Sequence, residues 1–325
     1  MKARESNIEL LRIVLMAIII VWHYLVYGES LLQNLTHTSY IYLAPLLTFP
    51  VDCFVFISGF YGLKLTRRKL ISIIGMLVTY SVSIFFITSA LKGFFDIKAF
   101  IISFFPVSTN YWWFFTQYIL LLIISPILNL CDNFEKAFFR KILVLSVVFY
   151  LGIMSLFFGT KMGCIGDLPL FIFLYLTGKY LKRFPVQQLV SNRWMILITL
   201  YVLSCLLICV SKSDEQGILK IISYNNPIVV LMAIEVFYIF KQIKIGTIKL
   251  VNIVSSSVFV SYIVTESSLR MPYISLITNM GHGMVWYGMA AILTILIICP
   301  FEIIRKKFSV RFFDWISRLS YKIIC

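Results

Sequence analysis

The sequence predicts an all-α fold, a polytopic transmembrane helical bundle of about ten spans with both termini in the cytoplasm. Three observations point there. Of 325 residues, 60% are hydrophobic and only 13% charged, and the mean hydropathy of +0.93 leaves too little polar surface for a soluble domain. Apolar runs recur at close to the roughly 20-residue length that crosses a bilayer. The Lys and Arg residues between them crowd into every second set of loops.

Taken in order, the expected spans are 8–27, 40–62, 70–91, 111–130, 142–160, 165–181, 194–210, 226–242, 250–268 and 284–303. The first follows Lys2 and Arg4 and is not followed by a small-residue cleavage site, so it reads as an uncleaved span. The second contains "FPVDCFVFISGFYG" and stops at the basic stretch "LKLTRRKL", from which the third departs. The fourth opens on Tyr111, Trp112 and Trp113, an aromatic belt for a membrane interface. The remaining runs are separated by short polar or basic loops, and the chain has no repeat, low-complexity stretch or separate soluble domain. Domain 1–304 is therefore read as the membrane unit. Residues 305–325 form a cytoplasmic amphipathic tail with Phe308, Phe312, Ile316, Leu319 and Ile323 at helical spacing.

One set of span ends carries 22 Lys and Arg, in the segments 2–4, 64–69, 136–141, 179–193, 241–249 and 305–322. The opposite set carries 6, namely Lys92, Lys98, Lys161, Lys212, Lys220 and Arg270. This asymmetry places the termini inside and accounts for the net charge of +15 without a nucleic-acid partner. Membrane lipids are the expected surroundings. The 7 cysteines form no CxxC pair and no ligand cluster with His, so no metal is expected.

An ionisable side chain within a span costs several kcal/mol unless it faces protein or water. The candidates are Glu9, Arg12, His23, Asp52, Glu235 and Glu266; Asp167 and Glu302 fall at span ends, and His37 and His282 in outer loops. From Arg12 to His23 is eleven residues, about 1100° of helix, so both project from one face about 16 Å apart. Their shared face predicts a common internal cavity, although Arg12 alone reads equally as a snorkelling anchor and His23 as a structural hydrogen-bonder. Glu9 lies one turn before Arg12 and can pair with it. Asp52 shares a face with Gly59 and serves either a structural ion pair or catalysis. Arg67 and Arg68, in "LKLTRRKL", are topology determinants or a phosphate-binding rim. Thr116 and Gln117 suit either a sugar or helix packing.

Together and in order, five segments resemble the acyltransferase-3 family of integral membrane acyltransferases: "NIELLR" with Arg12, ten residues and His23; "VDCFVFISGF"; "YWWFFTQYILLLIISPIL"; "SYNNPIVVLMAIEVFYIFK"; and "SSSVFVSYIVTE". They cover nearly the whole chain. The resemblance implies transfer of an acyl group, commonly acetyl, from cytoplasmic acyl-CoA to a sugar hydroxyl. The acceptor it implies is an envelope or capsular polysaccharide, or its lipid-linked precursor. Arg12, His23 and Asp52 match the family's motif residues. Two departures stand out. Thr265 occupies the place of a second family His, with Glu266 retained beside it. The family's two Arg separated by two residues are also missing, leaving Arg67 with Arg68 as the expected grip on CoA.

The chemistry so implied gives His23 the role of general base, Asp52 that of orienting the imidazole, and Arg12 that of binding the donor. Thr265, Glu266 and Glu9 are possible supporting residues. Acetyl-CoA is a co-substrate, and no permanently bound cofactor is expected. The competing class is a glycan flippase, polymerase or other polytopic transporter. It explains intramembrane charge equally well but not the ordered motifs. A bacterial cytoplasmic membrane is the expected location.

Overall fold

The computed structural model describes residues 5–148, 167–185, 192–212 and 214–324, with side chains as far as Phe308. Among them every regular element is helical. The first helix, α1, runs Ser6–His23 and continues as one π-helical turn, Tyr24–Gly28. π turns inside α-helices frequently mark functional positions, and this one starts directly after His23.

The second apolar stretch is broken into α2, Ala44–Thr48, and α3, Pro50–Tyr61. Proline is favoured at the first helical turn, where its missing N–H would be unpaired anyway. Next comes α4, Arg67–Lys92, capped at its start by the Thr66 hydroxyl and ended by Gly93 in the left-handed region. Asp96 then caps the short α5, Ile97–Ile102. There follow α6, Trp113–Leu128, and α7, Lys136–Ser146. Beyond the gap lie α8, Leu168–Arg183; α9, Arg193–Val210; α10, Glu215–Ile221; and α11, Pro227–Gln242. The chain closes with α12, Lys249–Ser255; α13, Phe259–Thr265; α14, Arg270–Met280; and the long α15, Met284–Ile324.

Among the described residues, six stretches are long and apolar enough to cross a membrane: Ser6–Gly28, Ser39–Tyr61, Arg67–Lys92, Trp113–Asn133, Arg193–Val210 and Met284–Phe308. A seventh results if Lys249–Thr265 and Arg270–Met280, bent by 96° at their junction, count as one. These are the helices of a membrane protein. The expected spans 165–181 and 226–242 coincide with α8 and α11, helices of only 16 residues each. The expected span 142–160 lies mostly outside the described residues. The tail beyond residue 305 continues the last helix without a break, and its side chains after Phe308 also lie outside the description.

The expected span 250–268 is not one straight rod. Its polar end, "TESS", turns the chain instead: the Thr265 hydroxyl donates to the Ser261 carbonyl and the Ser267 hydroxyl to that of Val264. Such local side-chain bonds compete with helical continuation. The turn lands beside His23.

Helices α3 and α8 make the closest approach in the molecule's core. A Cβ on Gly59 would lie 2.2 Å from the Tyr175 carbonyl oxygen, and one on Gly178 would lie 2.6 Å from that of Phe56. Only glycine lets the two backbones touch. By contrast α9 fully buries only Ser204 and Ile208, packs Leu197, Leu200 and Tyr201 partly against the core, and exposes Trp194, Ile198, Val202, Leu206 and Val210. Near the end of α3, Lys241 lies 4.0 Å over the Phe60 ring and the Tyr61 hydroxyl donates to Glu5 at 2.7 Å.

Candidate functional site

His23 is buried at the end of α1, and both of its ring nitrogens meet residues from the turn after α13. Nδ1 lies 2.9 Å from the Thr265 hydroxyl, and Nε2 lies 3.3 Å from Glu266 Oε2. The Glu266 contact is within ion-pair range, but that oxygen makes no well-aligned hydrogen bond. Thr265 has one proton, and the Ser261 carbonyl at 3.0 Å takes it. The hydroxyl therefore accepts from Nδ1–H, which leaves the Nε2 lone pair facing Glu266. The Nε2 lone pair and Glu266 Oε2 thus face each other at 3.3 Å with no hydrogen bond between them.

The other Glu266 oxygen is fully engaged. The Tyr27 hydroxyl donates to Oε1 at 2.9 Å and Arg270 Nη1 donates to it at 3.0 Å. The Arg270 guanidinium in turn lies 3.8 Å over the Tyr27 ring. The π turn after His23 carries Tyr27 into this network. Tyr27 does not stand out in the sequence, because Glu266 lies 239 residues away, and Arg270, four residues after Glu266, falls just outside the expected span 250–268.

His23 lines a small chamber of about 30 Å3, together with Met16 and Ile19 from the same face of α1. That volume holds one or two waters. The opposite walls include Val51 and Phe54 of α3, Phe114 of α6, Tyr224, and Phe259 and Tyr262 of α13. Tyr262 is 5% exposed and its hydroxyl makes no well-aligned hydrogen bond among the described residues, which leaves it able to donate to an acceptor. Sequence reasoning missed it, since a tyrosine in an apolar helix carries no signal by itself.

Phe114 and Phe259 also form the wall of a second cavity, of about 220 Å3. Their rings are nearly parallel, with centroids 6.1 Å apart. The second cavity is lined at its other end by Lys69, Arg305 and Lys306, with Ser256 and Ser257 between. Arg305 binds the buried Glu302 through two nitrogens, at 2.6 and 2.8 Å. Phe114 and Phe259 are thus common to the walls of the imidazole chamber and of a cavity lined by three cations and by Glu302.

The other sequence candidates divide. Arg12 pairs with Glu9 at 2.8 Å, and the second Glu9 oxygen accepts from the Ser255 hydroxyl at 2.5 Å. Only Nη1 of Arg12 is engaged, and its side chain is 28% exposed. Met16, one turn later on the same face, already lines the His23 chamber. Arg67 and Arg68 are exposed at the start of α4, with no ion pair among the described residues. Glu235 is held by Arg193 at 2.9 Å and belongs to the packing of α9 on α11. The Thr116 hydroxyl turns to backbone carbonyls, and Gln117 is buried.

Asp52 departs from its expected place. It bonds to neither His23 nor Arg12; it is wholly buried, and neither carboxyl oxygen has a hydrogen-bond partner among the described residues. The reason lies in the helix face it shares with Gly59. Gly59 is pressed against α8, so the same face carries Asp52 away from α1. The carboxylate beside the imidazole comes from Glu266 instead.

Among the described residues, no group of three or more His, Cys, Asp or Glu side chains is placed to hold a metal. No protein family, no curated protein and no solved structure matches this chain.

Proposed function

We propose that this protein is a membrane O-acyltransferase. It moves an acetyl group from cytoplasmic acetyl-CoA to a sugar hydroxyl of an envelope or capsular polysaccharide or its lipid-linked precursor. The reading places it in a bacterial cytoplasmic membrane, with ten spans and both termini inside. One observation carries it: a buried His23 in contact with Glu266, on a chamber that shares Phe114 and Phe259 with a cavity lined by Lys69, Arg305 and Lys306. The acyltransferase-3 resemblance of the sequence motifs supports the same reaction.

In this mechanism Nε2 of His23 takes the proton of the acceptor hydroxyl as its oxygen attacks the thioester carbonyl carbon. The Glu266 carboxylate stabilises the imidazolium, and Thr265 holds Nδ1–H in place. The Tyr262 hydroxyl donates to the oxyanion of the tetrahedral intermediate. The C–S bond then breaks and the imidazolium returns its proton to the CoA thiolate, leaving the sugar ester and free CoA. Arg12, Arg67 and Arg68, with Lys69 and Lys306, supply cations for the donor's phosphates and carbonyls. The His23 chamber is too small for an acyl group, so loading requires the Phe114 and Phe259 rings to part.

The test is transfer of labelled acetyl from acetyl-CoA to the surface glycan in membrane vesicles, compared between wild type and His23→Ala. Loss of label with unchanged glycan length supports the reading. Full labelling by His23→Ala excludes His23 as the base, and a changed polymer length after gene deletion points to a flippase or polymerase instead.

A further inference from the structure

A third cavity, of about 470 Å3, lies where the end of α4, the whole of α5 and the loop before α6 enclose a space. It sits at the His23 end of the bundle. Ser268, two residues after Glu266, lines it, and the Ser268 N–H donates to the hydroxyl of Tyr111, which also lines it, at 2.8 Å. The same wall continues inward through Trp112, buried against the Tyr111 ring and bonded through Nε1 to the Ile263 carbonyl at 3.1 Å.

The cavity's walls combine hydroxyls, charged groups and aromatic rings. The hydroxyls of Ser81 and Ser89 line it and make no hydrogen bond to the described residues. Lys92 and Asp96 line it as well, without pairing with each other. One Asp96 oxygen caps α5 through the N–H groups of Lys98 and Ala99, at 2.8 and 3.2 Å, while the other oxygen carries no bond. Aromatic rings of Phe85 and Tyr111 complete the walls. Unspent hydroxyls, one cation and one carboxylate beside flat apolar rings match what a pyranose presents: a rim of hydroxyls around C–H faces. The volume falls within the range of small-molecule sites.

We infer that this cavity binds the carbohydrate of the acceptor. The inference rests on the acyl-transfer reading for the identity of the reaction, but carbohydrate binding itself is measurable without it. The same sugar chemistry arrives from two sources, a lipid-linked saccharide or a polymeric glycan. Outward-facing Phe94, Ile101 and Phe104, 69%, 55% and 44% exposed, give a lipid chain an apolar surface beside the cavity.

The experiment uses the full-length protein in lipid nanodiscs. The probes are de-O-acylated surface polysaccharide and the lipid-linked oligosaccharide fraction, both from cells lacking this gene. Equilibrium binding of each probe is measured alongside KM for acceptor and for acetyl-CoA. Ser89→Trp fills the cavity and is expected to weaken acceptor binding and raise acceptor KM by about tenfold or more. Lys92→Met, an exposed change that retains insertion if Ser89→Trp does not, is expected to weaken both by about threefold to tenfold. Ile87→Trp puts the same bulk on the outward face of α4 and is expected to bind as wild type does. The probe bound more tightly by wild type identifies the source. Wild-type binding that neither Ser89→Trp nor Lys92→Met weakens overturns the site, as does failure of wild type to bind either probe. Binding lost in Ser89→Trp, with no acetyl transferred by wild type, sustains the site and overturns the acyl-transfer reading.

Discussion

The two ends of α1 lie on one helix face yet are built differently. Arg12 is tied to its own helix through Glu9, three residues away, and keeps more than a quarter of its side chain exposed. His23 is sealed, and the groups touching its nitrogens come from residues 265 and 266. An open, locally paired cation suits recognition of a charged donor. A closed imidazole with long-range partners suits proton transfer, because low dielectric strengthens every interaction around it. The comparison teaches that equal spacing in sequence does not mean equal function in the fold.

Mutations that separate kcat from KM test the contrast most directly. The largest effect belongs to His23→Ala, expected to lower kcat by about 10³-fold or more, read as acetyl transfer in vesicles. Glu266→Gln retains shape but not charge, and kcat is expected to fall by about 10²-fold with KM for acetyl-CoA little changed. Tyr262→Phe removes only a hydroxyl that makes no well-aligned hydrogen bond among the described residues. It is expected to lower kcat by about tenfold to 10²-fold with no loss of thermal stability, and an unchanged kcat would remove Tyr262 from the oxyanion site.

At the other end, Arg12→Lys is expected to raise KM for acetyl-CoA by about tenfold while kcat holds within threefold. A kcat effect as large as that of Glu266→Gln would erase the distinction between the two ends. The smallest change is Thr265→Ser, which keeps the hydroxyl at Nδ1 and is expected to stay within about twofold of wild type. Thr265→Val, lacking the acceptor for Nδ1–H, is expected to lose about tenfold in kcat.

Much of the site was legible in the sequence, but its wiring was not. Arg12, His23 and Glu266 stood out because ionisable groups are rare in apolar runs, and the Glu9–Arg12 pair followed from helical spacing alone. Asp52 stood out equally and was given the wrong neighbour. Its own helix face was readable, but the helix which that face meets was not. Tyr27, Arg270 and Tyr262 carried no signal, since aromatic and basic residues near span ends ordinarily serve as interfacial anchors.

Composition and hydrophobic periodicity by themselves determined that this chain is helical and rich in membrane-spanning lengths of apolar helix, because the bilayer demands internally bonded backbone and long apolar runs. They also placed Arg12 and His23 on one side of one helix. Tertiary structure alone decided that Glu266, and not Asp52, meets the imidazole. It did so through the close contact of Gly59 with α8 and the turn at Thr265, since packing of backbone on backbone depends on partners that a linear sequence does not pair.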